Sequence, residues 1–137
     1  MEVDRNGLEV LRREQSLRLL ATATLGRVGV TSGALPVVLP VNFRLVNDLI
    51  VFHTGLGTKL DAATCNQIVA FEADDFEPVS HSGWSVVVTG VAREVTDPDE
   101  LAALSTVPIP RWAPEGNGRT VAISTDLVSG RRVGLPW

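Results

Sequence analysis

Arg27-Val28-Gly29-Val30-Thr31, then Ser32-Gly33, then the run from Leu35 to Val46, then Asn47-Asp48 and Leu49-Ile50-Val51-Phe52-His53-Thr54 form the stretch that decides the fold. Residues 27–31 alternate in polarity. Residues 35–46 are rich in β-branched side chains, and residues 49–54 repeat that character. The short breaks between them hold turn-forming residues, Asn47-Asp48 most clearly. Three antiparallel strands joined by tight turns follow. Pro36 and Pro40 lack amide donors, so the second strand is expected at a sheet edge or with bulges at those points.

Working outward, Leu8 to Ala21 places Leu8, Leu11, Leu17 and Leu20 at partly helical spacing among charged residues, which predicts a helix. Ser16 is an alternative start for it. Gly55-Leu56-Gly57-Thr58-Lys59-Leu60-Asp61-Ala62-Ala63 reads as a loop feeding a short helix. Ile68 to Glu72 predicts a fourth strand, residues 74–78 an acidic loop, and Trp84 to Val95 a long fifth strand with a bulge at Gly90. Asp97-Pro98-Asp99-Glu100 starts a helix, with proline and acids in its first turn. Residues 107–117 contain three prolines and are irregular. Thr120 to Leu127 predicts a sixth strand, and Ser129-Gly130 a turn. The expected class is mainly β: a six-stranded antiparallel barrel with short helices, in one domain spanning 1–137.

With 45% hydrophobic and 20% charged residues, a chain of 137 residues can bury a core. Its net charge of −4 and scattered arginines argue against a nucleic-acid partner. The longest uncharged run, Val28 to Phe43 but for Arg27 before it and Arg44 after it, is broken by Pro36, Pro40, Gly29 and Gly33, so no membrane span is expected. The opening residues lack the apolar segment of a secretory signal, which sets the expectation of a cytoplasmic protein. A single cysteine, Cys65, allows neither an internal disulfide nor a multi-cysteine metal site.

Lys59 is the only lysine. Following Gly-x-Gly-Thr at a helix start, it is suited to hold an anion beside outward-pointing amides and the Thr58 hydroxyl. A solvated lysine beside a capping threonine is the competing reading. Trp84 at the mouth of the fifth strand either stacks on a planar ligand or covers the core. Asn42, inside an apolar run, either bonds backbone at a bulge or meets a ligand edge. His53 and His81 have no partner at metal-ligand spacing. Cys65 lacks a Cys-His signature and reads as a small packed thiol.

Taken in order, Leu-Gly-Arg-Val at 25–28, Leu-Pro-Val-Asn-Phe at 39–43, Phe-His-Thr-Gly-x-Gly-Thr-Lys-Leu at 52–60, Val-Ala-Phe-Glu at 69–72 and Gly-Trp-Ser-Val-Val-Val-x-Gly at 83–90 resemble the flavin-binding split-barrel proteins of the pyridoxamine-5′-phosphate-oxidase-like family. The resemblance spans roughly residues 17–95 and continues more weakly to 133. It implies a split barrel that binds FMN at a homodimer interface. It assigns the flavin phosphate to Thr58 and Lys59, and the preceding strand end to His53 and Thr54. The strand along the ring falls on Val41, Asn42 and Phe43. A polar residue five positions before the strand glycine, often Gln in the oxidases, falls on Ser85, with Trp84 before it. Trp112, in a Pro-Arg-Trp-Ala-Pro loop, is placed to fold over the site from a partner chain. The implied activity is transfer of hydride or electrons between FMN and an unidentified small molecule. A deazaflavin-dependent reductase and a non-catalytic binder of a planar ligand are the alternatives. True pyridoxamine phosphate oxidases carry an arginine-rich C-terminal element for the substrate phosphate. Here only Arg131 and Arg132 stand in that region, and the arginine beside the family's lysine is missing, so a different substrate is expected.

Overall fold

The computed structural model describes residues 1–55, 58, 60–61, 66–109 and 118–134. Lys59, Cys65 and Trp112 lie outside them. The strands are β1 (Glu2–Val3), β2 (Glu9–Leu11), β3 (Leu25–Ser32), β4 (Leu35–Asn42), β5 (Arg44–Val46), β6 (Leu49–Gly55), β7 (Gln67–Glu77), β8 (Ser82–Glu94), β9 (Gly118–Ser124) and β10 (Leu127–Val133), and the helices are α1 (Arg13–Leu20) and α2 (Pro98–Ser105).

The strands form one antiparallel sheet curled on itself. One path runs β1-β2-β10-β8-β7-β3-β4, and a second leaves β8 through β9 to β6 and β5. β8 is the hinge of this arrangement. Along one edge it pairs with β7 throughout, while its other edge pairs with β10 from Gly83 to Thr89 and with β9 from Ala92 to Glu94. The switch between partners falls at Gly90, where a Cβ would collide with the Ser124 carbonyl. Glycine is therefore required there by close backbone approach rather than by a bulge, and the ladder to β7 runs through it without interruption. β4 and β6 meet where the two arms of the sheet come round, but share no ladder. That gap is the split in the barrel.

Alternation along each strand fills the interior. Val28, Val41, Phe43, Ile50, Phe52, Phe71, Val86, Val88 and Ile123 are buried together there, with the Phe43 and Phe71 rings edge-on at 4.7 Å between centroids. Val51 and Ala122 point the other way and are buried beneath Leu104 of α2, beside Leu101. The Asp97 carboxylate caps α2 by accepting from the Asp99 amide, and a two-pronged Arg93–Glu100 pair at 2.8 and 2.9 Å ties the helix to β8.

The mainly β antiparallel barrel stands, but the expected six strands become ten. Residues 35–46 divide at Phe43 into β4 and β5, and Phe43 instead gives its amide to the Thr24 carbonyl. β4 is an edge strand paired only with β3, as its prolines require. The first expected helix is shorter. Residues 9–11 extend as β2 against β10, burying Leu11, and α1 starts only where the Gln15 side chain accepts the Arg12 amide at 3.0 Å. Ser16 does not start the helix; it is fully buried inside it, where its hydroxyl donates to the Arg12 carbonyl. The acidic loop is strand to Glu77, held by the β8 partner that runs beside it. Ser129-Gly130 is not a turn but part of β10, and Gly130 lets Ser16 of α1 pack directly on that strand. The hairpin turns are Gly33-Ala34 and Asn47-Asp48, each with both residues at positive φ.

Candidate functional site

The end of β6 sets out the first group of side chains. Ile50, Phe52 and Thr54 face the barrel interior, while Val51 and His53 face outward. His53 and Thr54 are thus on opposite faces and serve different surroundings. α2 covers the outer face at Val51 and Ala122, and the next outward pair along the β6–β9 ladder is His53 and Thr120. They are half-buried and opposite each other in the β6–β9 ladder, with Nδ1 and Oγ1 3.2 Å apart.

Of the sequence-selected run at the end of β4, Val41 and Phe43 belong to the core, and Asn42 alone turns out of it. The β5–β6 register sets Arg44 opposite Val51 and ends there, so Asn42, two residues earlier on β4, has no ladder partner on β6. The Asn42 amide has no hydrogen-bonding partner among the described residues. His53 and Thr120 therefore make a polar ledge on the outside of β6 and β9, and Asn42 faces outward at the end of β4.

Thr58 stands just past β6. Its hydroxyl donates to the Gly55 carbonyl at 2.8 Å and accepts the Asp61 amide at 3.1 Å, so it closes the turn and caps the residues that follow. The Asp61 carboxylate lies 2.8 Å from Arg119 Nε and accepts from the buried Thr54 hydroxyl at 3.2 Å. Arg119 also reaches Glu94 at 2.8 Å, and these two carboxylates hold its own proton more firmly than usual, the bond to Glu94 most of all. Thr54 is consequently a strut for the turn. Asp61, the acid next to the lysine turn, has its charge compensated from β9, which lowers the penalty for bringing an anion there.

Trp84 and Ser85 belong to another part of the wall. Trp84 faces inward, packs on the core, and lines a cleft of about 220 Å3 with residues 22–25, Asp74 and Asp75. Ser85 faces outward between Asp74 of β7 and Arg131 of β10. Ser85 pairs with Asp74 and Arg131, on strands that neighbour neither β6 nor β9. His53 and Thr58 thus belong to the end of β6 and the turn after it, while Trp84 and Ser85 lie near the start of β8. Trp84 shows the core-covering behaviour that its position at a strand mouth allowed.

Outward-facing positions of β3, β4, β7, β8 and β10 form a broad apolar surface. Val38 is 69% exposed, Ile68 76%, Val91 43% and Leu127 67%, around the small residues Gly29 and Ala70. In its midst Arg27 bridges Glu72 and Asp74 at 3.2 and 3.3 Å. Partial burial, then the neighbouring Asp74, raise the Glu72 carboxyl to about 7. Among the described residues, no three His, Cys, Asp or Glu side chains are grouped to hold a metal ion, and no helix is long and apolar enough to cross a membrane.

Residues 12–132 match the family model of pyridoxamine 5′-phosphate oxidase. The chain belongs to that family. It is 39% identical over 128 residues to an uncharacterized protein of Mycobacterium tuberculosis, covering 90% of this chain and 84% of the relative. Among solved structures it is similar to the FAD binding protein of Mycobacterium smegmatis, at 33% identity and a TM-score of 0.81, covering 92% of this chain and 98% of that one. A Corynebacterium glutamicum protein placed in the same family gives 32% identity and a TM-score of 0.82, with 93% and 99% covered.

Within this family frame, sequence reasoning missed Asp61, Glu94, Arg119 and Thr120. Asp61 stood in the very turn that was singled out, and its distance of two residues from Lys59 was the one available signal. Glu94, Arg119 and Thr120 carried none, since only the β6–β9 and β8–β9 pairings bring them to the turn.

Proposed function

We propose that this chain is a flavin-binding oxidoreductase that holds FMN along the outer ledge of β6 and β9 and the end of β4, with the phosphate at the turn containing Thr58 and Lys59. The observation that carries the reading is the juxtaposition of that ledge with that turn, in a family member similar to a protein described as FAD binding. An isoalloxazine is a flat, largely apolar plate with a polar rim, and the Asn42 amide, His53 imidazole and Thr120 hydroxyl offer that rim donors and acceptors. Lys59 supplies the cation for the phosphate, and Arg119, shared with Glu94, offsets part of the negative charge of Asp61.

The bound flavin supplies the hydride or electron transfer, to or from a small molecule. The chain's own residues bind and orient. Thr58 and Asp61 fix the turn, and the Thr120 hydroxyl beside Nδ1 holds the His53 ring in place. The exposed apolar sheet face supports assembly as a symmetric homodimer, which would cover that surface and bring a second wall, including Trp112, toward each ledge.

The test is spectroscopic. Purified full-length protein is titrated with FMN, FAD and the deazaflavin cofactor, and bound ligand is followed by flavin absorbance and fluorescence. Saturable binding of FMN, with bleaching of the bound flavin by a reductant and its reoxidation by an acceptor, is the expected result. Preference for FAD moves the phosphate assignment to a pyrophosphate, and preference for deazaflavin favours a different reductase. Indifference to all three overturns the reading.

A further inference from the structure

The apolar sheet face carries an unbalanced charge at its centre. Arg27 is one cation shared between two carboxylates, Glu72 and Asp74, which project from the same face of β7. Among the described residues, their surroundings supply no second cation. From β3 only Arg27 faces the pair, β4 presents Pro40 opposite it, and β8 presents Val87 and Ser85 opposite Glu72 and Asp74. One strand further, Arg131 is held by Asp4 at 2.9 Å.

This face is self-complementary in both shape and sign. The small residues Gly29 and Ala70 let another surface approach closely there, and a copy turned about a two-fold axis would set Arg27 of one copy against the carboxylates of the other. Each copy nevertheless brings two carboxylates and one guanidinium into the contact. An excess negative charge on each side is costly once water is removed, and a carboxylate in that position escapes the cost by taking up a proton. We propose that this face closes against a second copy with uptake of a proton by the Glu72–Asp74 pair, so that self-assembly of the chain is linked to pH. The inference rests on the homodimer reading above. In the single chain Glu72 already titrates at about 7, so desolvation by a second copy has only a short way to push it before the proton is retained at neutral pH.

The test is the dissociation constant of the full-length chain, measured by sedimentation with fluorescent label at about pH 6 and about pH 8.5. Dissociation is expected to rise about tenfold or more toward the alkaline value, because each copy must then keep a proton that bulk solution withdraws. Glu72→Gln, which is the same size and carries no charge, is expected to associate tightly at both values. Asp74→Asn removes the neighbour and should flatten the dependence in the same direction. A dimer whose dissociation is indifferent to pH overturns the proton linkage while leaving the dimer intact. A monomer at every pH overturns the dimer reading itself. A Glu72→Gln variant that keeps the wild-type pH dependence shows that other groups take up the proton.

Discussion

The end of β6 at His53 and Thr54 was legible from its neighbours in the chain, because an apolar, β-branched run stops there at a glycine. The acid and the arginine that brace the turn after it were not legible, since Asp61 and Arg119 are joined only by the β6–β9 pairing. Replacing Arg119 with Met leaves Asp61, whose carboxylate is only 10% exposed, and Glu94 without their shared cation. The folded state is expected to lose stability, read as a lower midpoint in urea unfolding. Phosphate-bearing flavins should also bind less well, because the turn loses a positive charge beside Asp61. Trp84 makes a complementary prediction. As an inward-facing residue on the core, Trp84→Phe is expected to destabilise the protein by about 1–3 kcal/mol and to leave flavin affinity unchanged. Flavin-induced quenching should persist in that variant, carried by tryptophans other than Trp84.

At the scale of elements, the hairpins around Asn47-Asp48 and the edge position of β4 followed from local chemistry: positive φ tolerated at the turn, and prolines that cannot donate. The extensions of β7 and β8 did not follow, because the acids from Asp74 to Glu77 resemble a loop until a partner strand pairs with them. β2 and β10 were hidden for the same reason. Their short, mixed sequences become strands only against each other and against β8. Likewise, Gly90 announced an irregularity, but its cause, the Ser124 carbonyl on a strand about thirty residues away, needs the topology. Gly90→Ala therefore pushes a methyl group into that carbonyl, at the point where β8 changes partners. A loss of about 3 kcal/mol or more is expected, enough to lower the thermal midpoint by many degrees. Gly29→Ala is the control: its nearest neighbour is the Ala70 methyl at 3.5 Å, and it should fold normally.

For the whole molecule, pH enters through the same carboxyl that sits on the apolar face. Glu72 titrates at about 7 in the folded chain and at its ordinary 4.5 when unfolded. The folded state thus holds more protons between those values, and this group's contribution to stability falls as pH rises through that window, reaching its minimum above about 7. Urea unfolding of wild type and Glu72→Gln at several pH values should diverge across that interval, the variant lacking the decline. The central claim, a flavin on the β6–β9 ledge with its phosphate at the 55–61 turn, is tested most directly by paired titrations. Wild type and Lys59→Ala are each titrated with FMN and with riboflavin, which has the same ring and no phosphate. A charge-assisted phosphate contact contributes about 1.5–3 kcal/mol, so FMN affinity is expected to fall roughly ten- to a hundredfold while riboflavin affinity stays where it was. Equal losses for both ligands, or none for either, would contradict the account.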